Sequence, residues 1–347
     1  MKAIKTVLFL ISMFLLIFSC GKKETEKASS LQKVYLEGFI QGTSYHITYL
    51  HKKATDYHPE IKKELTRIDK SLSIYDSLSV ISRINRNDST VEIDSIFATV
   101  FREAQQIAKQ TNGAFDITVG PLMKLWGFNK GQKITVTQNM IDSIHPSIGY
   151  QKIKLAGNKI IKENPAIKLD ANAIAQGYSC DRIAALLESK GIQRYMIEIG
   201  GEISCKGFSP RGDAWKLGIN EPIEDSTGTT NKIREIICVK DMAVSTSGNY
   251  RKYYYQNGKK YGHEIDPRTG YPTSHKLLSV TVIAPKCSTA DAYATAFMVM
   301  GVVQSIHLLQ KLPGIEAYFI YEDGNGKIKD LYTRGFWKYL EKNNLSS

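Results

Sequence analysis

Asp291 and Thr295 stand four residues apart in Ser288-Thr-Ala-Asp-Ala-Tyr-Ala-Thr-Ala-Phe-Met-Val-Met-Gly301, a run that is otherwise alanine-rich and apolar. This composition favours a helix, with Ser288 as its cap and Gly301 as its stop. Residues four apart on a helix lie above one another, so a carboxylate and a hydroxyl share one face. Two hard oxygens on an apolar helix suit a small divalent cation such as Mg²⁺. Asp291 also follows Ser288 by three, the spacing of a capping box, and that reading competes with the metal.

Six short segments set glycine or alanine beside polar groups: Gly42-Thr43, Ala114-Phe-Asp116, Asp170 to Gly177, Gly200-Gly-Glu202, Thr246-Ser-Gly-Asn249 and His263 to Gly270. Each by itself has the composition of a turn. Glycine also lets backbone approach a ligand, and neighbouring amides can cradle phosphate oxygens, so six such islands point to a shared site. GxxxxGK[ST], HExxH and GxSxG do not occur. Ser247-Gly-Asn249 and Arg268-Thr-Gly270 resemble elements of penicillin-binding serine enzymes. Those enzymes need SxxK on a core helix, and Ser30-Leu-Gln-Lys33 lies ahead of the folded part.

The elements that must position these groups are legible as periodicities. Val34 to Leu50 alternates around Gly38 and Gly42 as a strand pair. Ile61, Leu65, Ile68 and Leu72 form the apolar face of a helix opened by Pro59. Asp94 caps a second helix through Phe97, Phe101, Ala104 and Ala108, which stops at Asn112-Gly113. A third follows Asp170 and ends at Gly191, and another covers about 302–312. Strands are expected at Tyr195–Ile199, Arg234–Val239, Lys252–Gln256, Leu278–Ile283, Ala317–Tyr321 and Ile328–Tyr332, with hairpin turns at Asn257-Gly258 and Asn325-Gly326. Hairpins with helices between them predict an α+β fold, a mixed and largely antiparallel sheet with packed helices.

The chain has 347 residues, 42% hydrophobic, enough for a well-buried core. Lys2 and Lys5 precede an apolar run, Val7 to Phe18, that is short for a membrane span. Residues 1–19 read as a signal peptide, and Ser19-Cys20 resembles the lipobox of bacterial lipoproteins, with Cys20 the lipidated residue. Phe18 is bulky for that motif, and an uncleaved anchor helix is the alternative. Residues 20–33 are a polar tether, and 34–340 one folded domain. Both readings of the N-terminus put this domain outside the cytoplasm, anchored at a cell membrane. Cys180, Cys205, Cys238 and Cys287 form no CxxC pair and suit core positions. The formal charge is +12, which favours anionic ligands or an anionic membrane surface. Nucleic acid is excluded as a partner, since no basic cluster interleaves with stacking aromatics.

Read in order, the islands resemble the ApbE family of FAD:protein FMN transferases, from about Val34 to Tyr332. The carriers are Gly113-Ala-Phe-Asp-Ile-Thr-Val-Gly-Pro-Leu122 with Leu125-Trp-Gly-Phe128, Ile174-Ala-Gln-Gly-Tyr178 with Asp181, His263-Glu-Ile-Asp-Pro-Arg-Thr-Gly270, and Ala290-Asp-Ala-Tyr-Ala-Thr-Ala296. The resemblance implies Mg²⁺-dependent transfer of FMN from FAD to a threonine or serine hydroxyl of a target protein, through a phosphoester and with release of AMP. It implies as partners extracytoplasmic flavin-carrying subunits of membrane redox complexes, such as sodium-pumping NADH:quinone reductase. An FAD pyrophosphatase, with water as acceptor, and a non-catalytic flavin-binding lipoprotein are the alternatives.

By the same resemblance, Asp291, Thr295 and the backbone carbonyl of Ala173 are metal ligands. FAD contacts fall on Gln41, Tyr75, Ala114, Phe115, Asp116, Gln176 and Ile265. Tyr75 offers an aromatic face for a ring and Asp116 a carboxylate acceptor. Gln41 replaces the family's usual Met and Gln176 its usual Lys or Glu, so altered contacts are expected at both. His263 is the candidate general base, because imidazole titrates near neutral pH. A hairpin histidine without a catalytic role is the other reading.

Overall fold

The computed structural model describes residues 31–128, 134–223, 232–249, 253–256 and 259–341, with backbone alone at 253–256 and 259–261. The signal peptide, Cys20, the tether up to Ser30 and the turn Asn257-Gly258 lie outside the described residues. In chain order the elements are β1 (Gln32–Ile40), β2 (Thr43–His51), α1 (His58–Leu72), α2 (Val80–Asn85), α3 (Ser95–Gln110), α4 (Gly120–Leu125) and α5 (Gln138–Ile144). They continue with β3 (Ile153–Ala156), β4 (Lys159–Lys162), α6 (Asn172–Ser189), β5 (Tyr195–Ile199), β6 (Glu202–Lys206), β7 (Trp215–Asn220), β8 (Ile233–Val239) and β9 (Met242–Gly248). The last are β10 (Tyr253–Gln256), β11 (Lys259–Gly262), β12 (Leu277–Ala284), α7 (Cys287–Leu309), β13 (Glu316–Glu322) and β14 (Ile328–Tyr332).

Eight strands form one sheet in the order β1-β2-β5-β6-β9-β12-β13-β14, and every neighbouring pair is antiparallel. Side chains alternate across it as the strand period requires. Val280 and Val282 of β12 and Phe319 of β13 face a core shared with α3, α6 and α7. Ile283, Tyr318 and Ile320 face the opposite core, closed by the β7–β8 ribbon and Phe336. The sheet is thus covered on both sides, the α+β arrangement expected.

Helix α7 is apolar and long enough to cross a membrane, yet it packs against α6, β9 and β12 with much of its surface buried. Its ladder breaks at Gly301, where φ is +75°, a left-handed value that glycine adopts without a Cβ clash. The expected stop at Gly301 is thus a kink between two helical segments, the second ending at Leu309. Asp94 caps α3 as expected, its carboxylate accepting from the N–H of Phe97 at 2.8 Å.

Ser288 is not the cap of α7. The helix starts one residue earlier, so Ser288 lies in its first turn. The cap is Asp181 of α6, which accepts from the N–H of Cys287 at 2.7 Å and of Ser288 at 3.0 Å, and from the Ser288 hydroxyl at 2.7 Å. A carboxylate at a helix N-terminus also meets the positive end of its dipole. The capping box fails with it, because Asp291 is bonded elsewhere. Strand β9 is a second correction: Thr246 to Gly248 is its C-terminal end and not a turn. Of the cysteines, Cys180, Cys205 and Cys287 are buried and Cys238 is half-buried, all as free thiols.

Candidate active site

The site begins where α6 crosses α7. Gly177 makes that crossing close: a Cβ there would lie 2.4 Å from the Cys287 carbonyl oxygen and 2.8 Å from Cβ of Asp291. The Gly177 N–H donates to Oδ2 of Asp291 at 3.0 Å. In a regular helix that N–H would be aimed at the carbonyl of Ala173. Ala173 instead has non-helical angles, φ −84° and ψ 15°, and the N–H groups of Ile174 and Ala175 both turn to the carbonyl of Ala171. The Asp170 carboxylate supports this irregular opening by accepting from the N–H of Asn172 at 2.9 Å. Burial pushes the Asp291 carboxyl up to about 7, the charge of Asp181 adds to this, and the Gly177 N–H opposes it.

A cavity of about 570 Å³ opens over this crossing. Of the residues singled out in the sequence, Ala114, Phe115, Asp116, Ala173, Gln176, His263, Ile265, Asp291 and Thr295 all line it. Gln176 lies against Gly200, where a Cβ would sit 2.7 Å from Nε2 of the amide. Gln41 and Tyr75 are outside the wall. Gln41 sits in the β1–β2 turn at φ +54° and donates through Nε2 to Ser179 Oγ on α6 at 2.8 Å. Tyr75 is 57% exposed and its hydroxyl is hydrogen-bonded to Asn172, which lines the cavity, so Tyr75 stands at the mouth.

Asp116 is engaged by its own chain. Its carboxylate accepts from the Thr118 N–H and hydroxyl at 2.8 and 2.7 Å and from the Tyr150 N–H at 2.7 Å. Burial still pushes its pKa above the ordinary carboxylate value. His263 has Nδ1 at 3.3 Å from Oε1 of Glu264 and meets the Phe128 ring edge-on at 6.3 Å. Asp266 shapes the next turn, with its carboxylate paired to Arg268 at 2.8 Å and its carbonyl accepting from the Gly270 N–H.

The wall also holds Asp170, Glu202 and Glu264, with Thr246 and Ser247 of β9, which lie in the polar islands of the sequence without an individual role there, and Glu198, which lies in none of them. Glu198 and Glu202 flank Gly200-Gly201, the turn of the β5–β6 hairpin, and the Gly201 N–H donates to Glu198 at 2.7 Å. Among the described residues six carboxylates line the cavity and no lysine or arginine does. The basic balance of the whole chain is therefore not concentrated at this site. A phosphate-bearing ligand here needs a cation that those side chains do not supply.

The described residues hold no group of three or more His, Cys, Asp and Glu poised for a metal, which excludes a zinc-type cluster among them. A hard cation asks for less. One buried carboxylate, the Thr295 hydroxyl and a carbonyl in a broken first turn are all oxygens, and Mg²⁺ keeps several ligands from water and substrate phosphate. The donor set fits Mg²⁺.

The molecule is an antiparallel α+β scaffold with an acidic cavity over a helix crossing. A family model, the ApbE family, matches residues 41–319. The chain is 35% identical over 340 residues to the FAD:protein FMN transferase of Haemophilus influenzae, covering 94% of this chain and 95% of that one. It is 36% identical over 278 residues to the Vibrio cholerae protein of the same name, covering 78% and 82%. The solved structure of flavin transferase ApbE from Vibrio cholerae superposes with a TM-score of 0.80 at 34% identity, covering 89% of this chain and all of that one. The apo Pseudomonas stutzeri flavinyl transferase ApbE gives 0.77 at 30%, covering 88% and 96%. The chain belongs to the ApbE family.

Proposed function

We propose that this protein is an FAD:protein FMN transferase that moves the FMN part of FAD to a threonine or serine hydroxyl of a target protein and releases AMP. The observation that carries the reading is the meeting of Asp291, Thr295 and the irregular turn at Ala173 in one cavity without lysine or arginine among its described walls. Similarity over nearly the whole chain to proteins that bear this name supports it. Asp291, Thr295 and the Ala173 carbonyl would hold Mg²⁺, which neutralises charge on the pyrophosphate oxygens as they react.

The rest of the chemistry falls to the chain. His263 takes the proton of the attacking hydroxyl as the new oxygen–phosphorus bond forms on the FMN side. The bond from that phosphorus to the bridging oxygen breaks, and its electron pair leaves with AMP. Gln41, Tyr75, Ala114, Phe115, Asp116, Gln176 and Ile265 position FAD, with Tyr75 able to close over a ring from the mouth. The enzyme works outside the cytoplasm, held to the membrane by lipid on Cys20. There its targets are flavin-carrying subunits of membrane redox complexes.

Incubation with FAD, Mg²⁺ and a threonine-bearing acceptor domain tests this. The expected result is an FMN-sized mass increment on the acceptor, absent when its threonine is replaced by alanine. Free FMN without acceptor labelling would establish hydrolysis instead, and intact FAD would leave only binding.

A further inference from the structure

Glu264 is 5% exposed, and both carboxylate oxygens are closed to solvent without a hydrogen-bond partner. Burying a carboxylate that accepts no hydrogen bond is costly, so an acid in this setting calls for a use. It lines the cavity beside His263, whose Nδ1 is 3.3 Å from Oε1. Adjacent residues of a regular strand point to opposite faces. Here both reach the same cavity because β11 ends at Gly262. A Cβ on Gly262 would stand 3.0 Å from Glu264 Oε2, so the glycine leaves the carboxylate its place.

The other neighbours offer Glu264 little. Asn249 packs at the same glycine, but its Nδ2 donates to the Leu277 carbonyl at 3.1 Å and its Oδ1 is itself an acceptor. The Thr273 N–H serves the backbone carbonyl of Glu264 and not its side chain. Among the described residues the one cationic or potentially cationic group paired with this carboxylate is the imidazole.

We propose that Glu264 is a positioning residue for His263: its carboxylate beside Nδ1 favours the proton on that nitrogen, so that Nε2 carries the lone pair that receives the proton of the attacking hydroxyl. This rests on His263 being the general base of the reaction above. The O–H bond of the acceptor breaks and its proton becomes the Nε2–H of an imidazolium. The oxygen–phosphorus bond forms, and AMP leaves with the electron pair of the broken bond. The carboxylate faces the imidazolium so formed and stabilises it.

Glu264→Gln keeps the shape and removes the charge. The expected result is a kcat about 10²-fold lower with the KM for FAD unchanged, and partial recovery in Glu264→Asp. A kcat within twofold of wild type, or a rise in KM alone, would overturn the proposal. A second readout needs no turnover: ¹⁵N NMR of the His263 ring should show the Nδ1–H tautomer in wild type and a loss of it in Glu264→Gln. Identical spectra would also overturn the proposal. His263→Ala separates the two claims, since full transfer by that variant removes the base while the ring spectra still decide whether Glu264 orients it.

Discussion

The backbone N–H of Gly177 donates to Oδ2 of Asp291 across 3.0 Å, and this bond joins the two helices at the cavity floor. It exists because Gly177 lacks a Cβ, which would stand 2.4 Å from the Cys287 carbonyl oxygen. That oxygen is backbone and has little freedom to give way. Gly177→Ala should therefore force α6 and α7 apart and cost about 3 kcal/mol. Urea unfolding measures the cost, and the variant should also lose the Mg²⁺-dependent rise in melting temperature. A variant with wild-type stability and metal response would show that the close crossing is dispensable.

The Asp291 carboxyl, pushed up to about 7 by burial, links stability to pH. In the unfolded chain it ionises near pH 4, whereas the folded chain keeps its proton until about pH 7. The unfolded state is thus favoured as pH rises through this window, and the metal-free protein loses stability from about pH 4 to about pH 7. A cation binds the ionised form, so stabilisation by Mg²⁺ should grow over the same range. Melting temperatures with and without millimolar Mg²⁺, taken at several pH values, check both trends. Asp291→Asn should flatten them and abolish turnover, and a Mg²⁺ response independent of pH would sink the assignment.

Asp116 has a structural duty as well as a place in the cavity wall. Its carboxylate serves two donors of Thr118 and the N–H of Tyr150, tying the turn after α3 to the segment before β3. Asp116→Ala would leave these donors in a buried setting without their acceptor, at about 1–3 kcal/mol for each unsatisfied group. Its melting temperature should fall by several degrees even in the absence of FAD. An unchanged melting temperature would mean that water replaces the carboxylate at no cost.

What the sequence disclosed follows the reach of local rules. Asp291 and Thr295 were visible together because helical periodicity is local, and Asp94 was visible as a cap for the same reason. Asp181 was not visible as the cap of α7, because it comes from α6, more than a hundred residues earlier. β9 was missed because Met242-Ala-Val-Ser-Thr-Ser-Gly248 reads as small and polar, and only its place between β6 and β12 makes it a central strand. Glu198, Glu202 and Glu264 sit beside glycine or in turns, where an acid normally faces water. Nothing short of the fold turns them inward. The role proposed for Ala173 belongs to its backbone carbonyl, which composition does not encode, and it rests on family resemblance and on the irregular turn there.

Tyr75 completes the contrast with Asp116. At 57% exposure its ring is largely open to solvent, and its hydroxyl meets Asn172 at the cavity mouth. Removing an exposed ring takes away few native contacts, so Tyr75→Ala should unfold within about 0.5 kcal/mol of wild type. Covering a flavin or adenine ring would add an aromatic contact worth about 0.5–1.5 kcal/mol. The KM for FAD should then rise by about three- to tenfold while kcat changes little, and Tyr75→Trp should retain affinity. Steady-state kinetics with varied FAD, set beside thermal unfolding of the same samples, separates this outcome from the Asp116 case. An unchanged KM would place FAD away from the mouth, whereas a large loss of stability would make Tyr75 part of the fold.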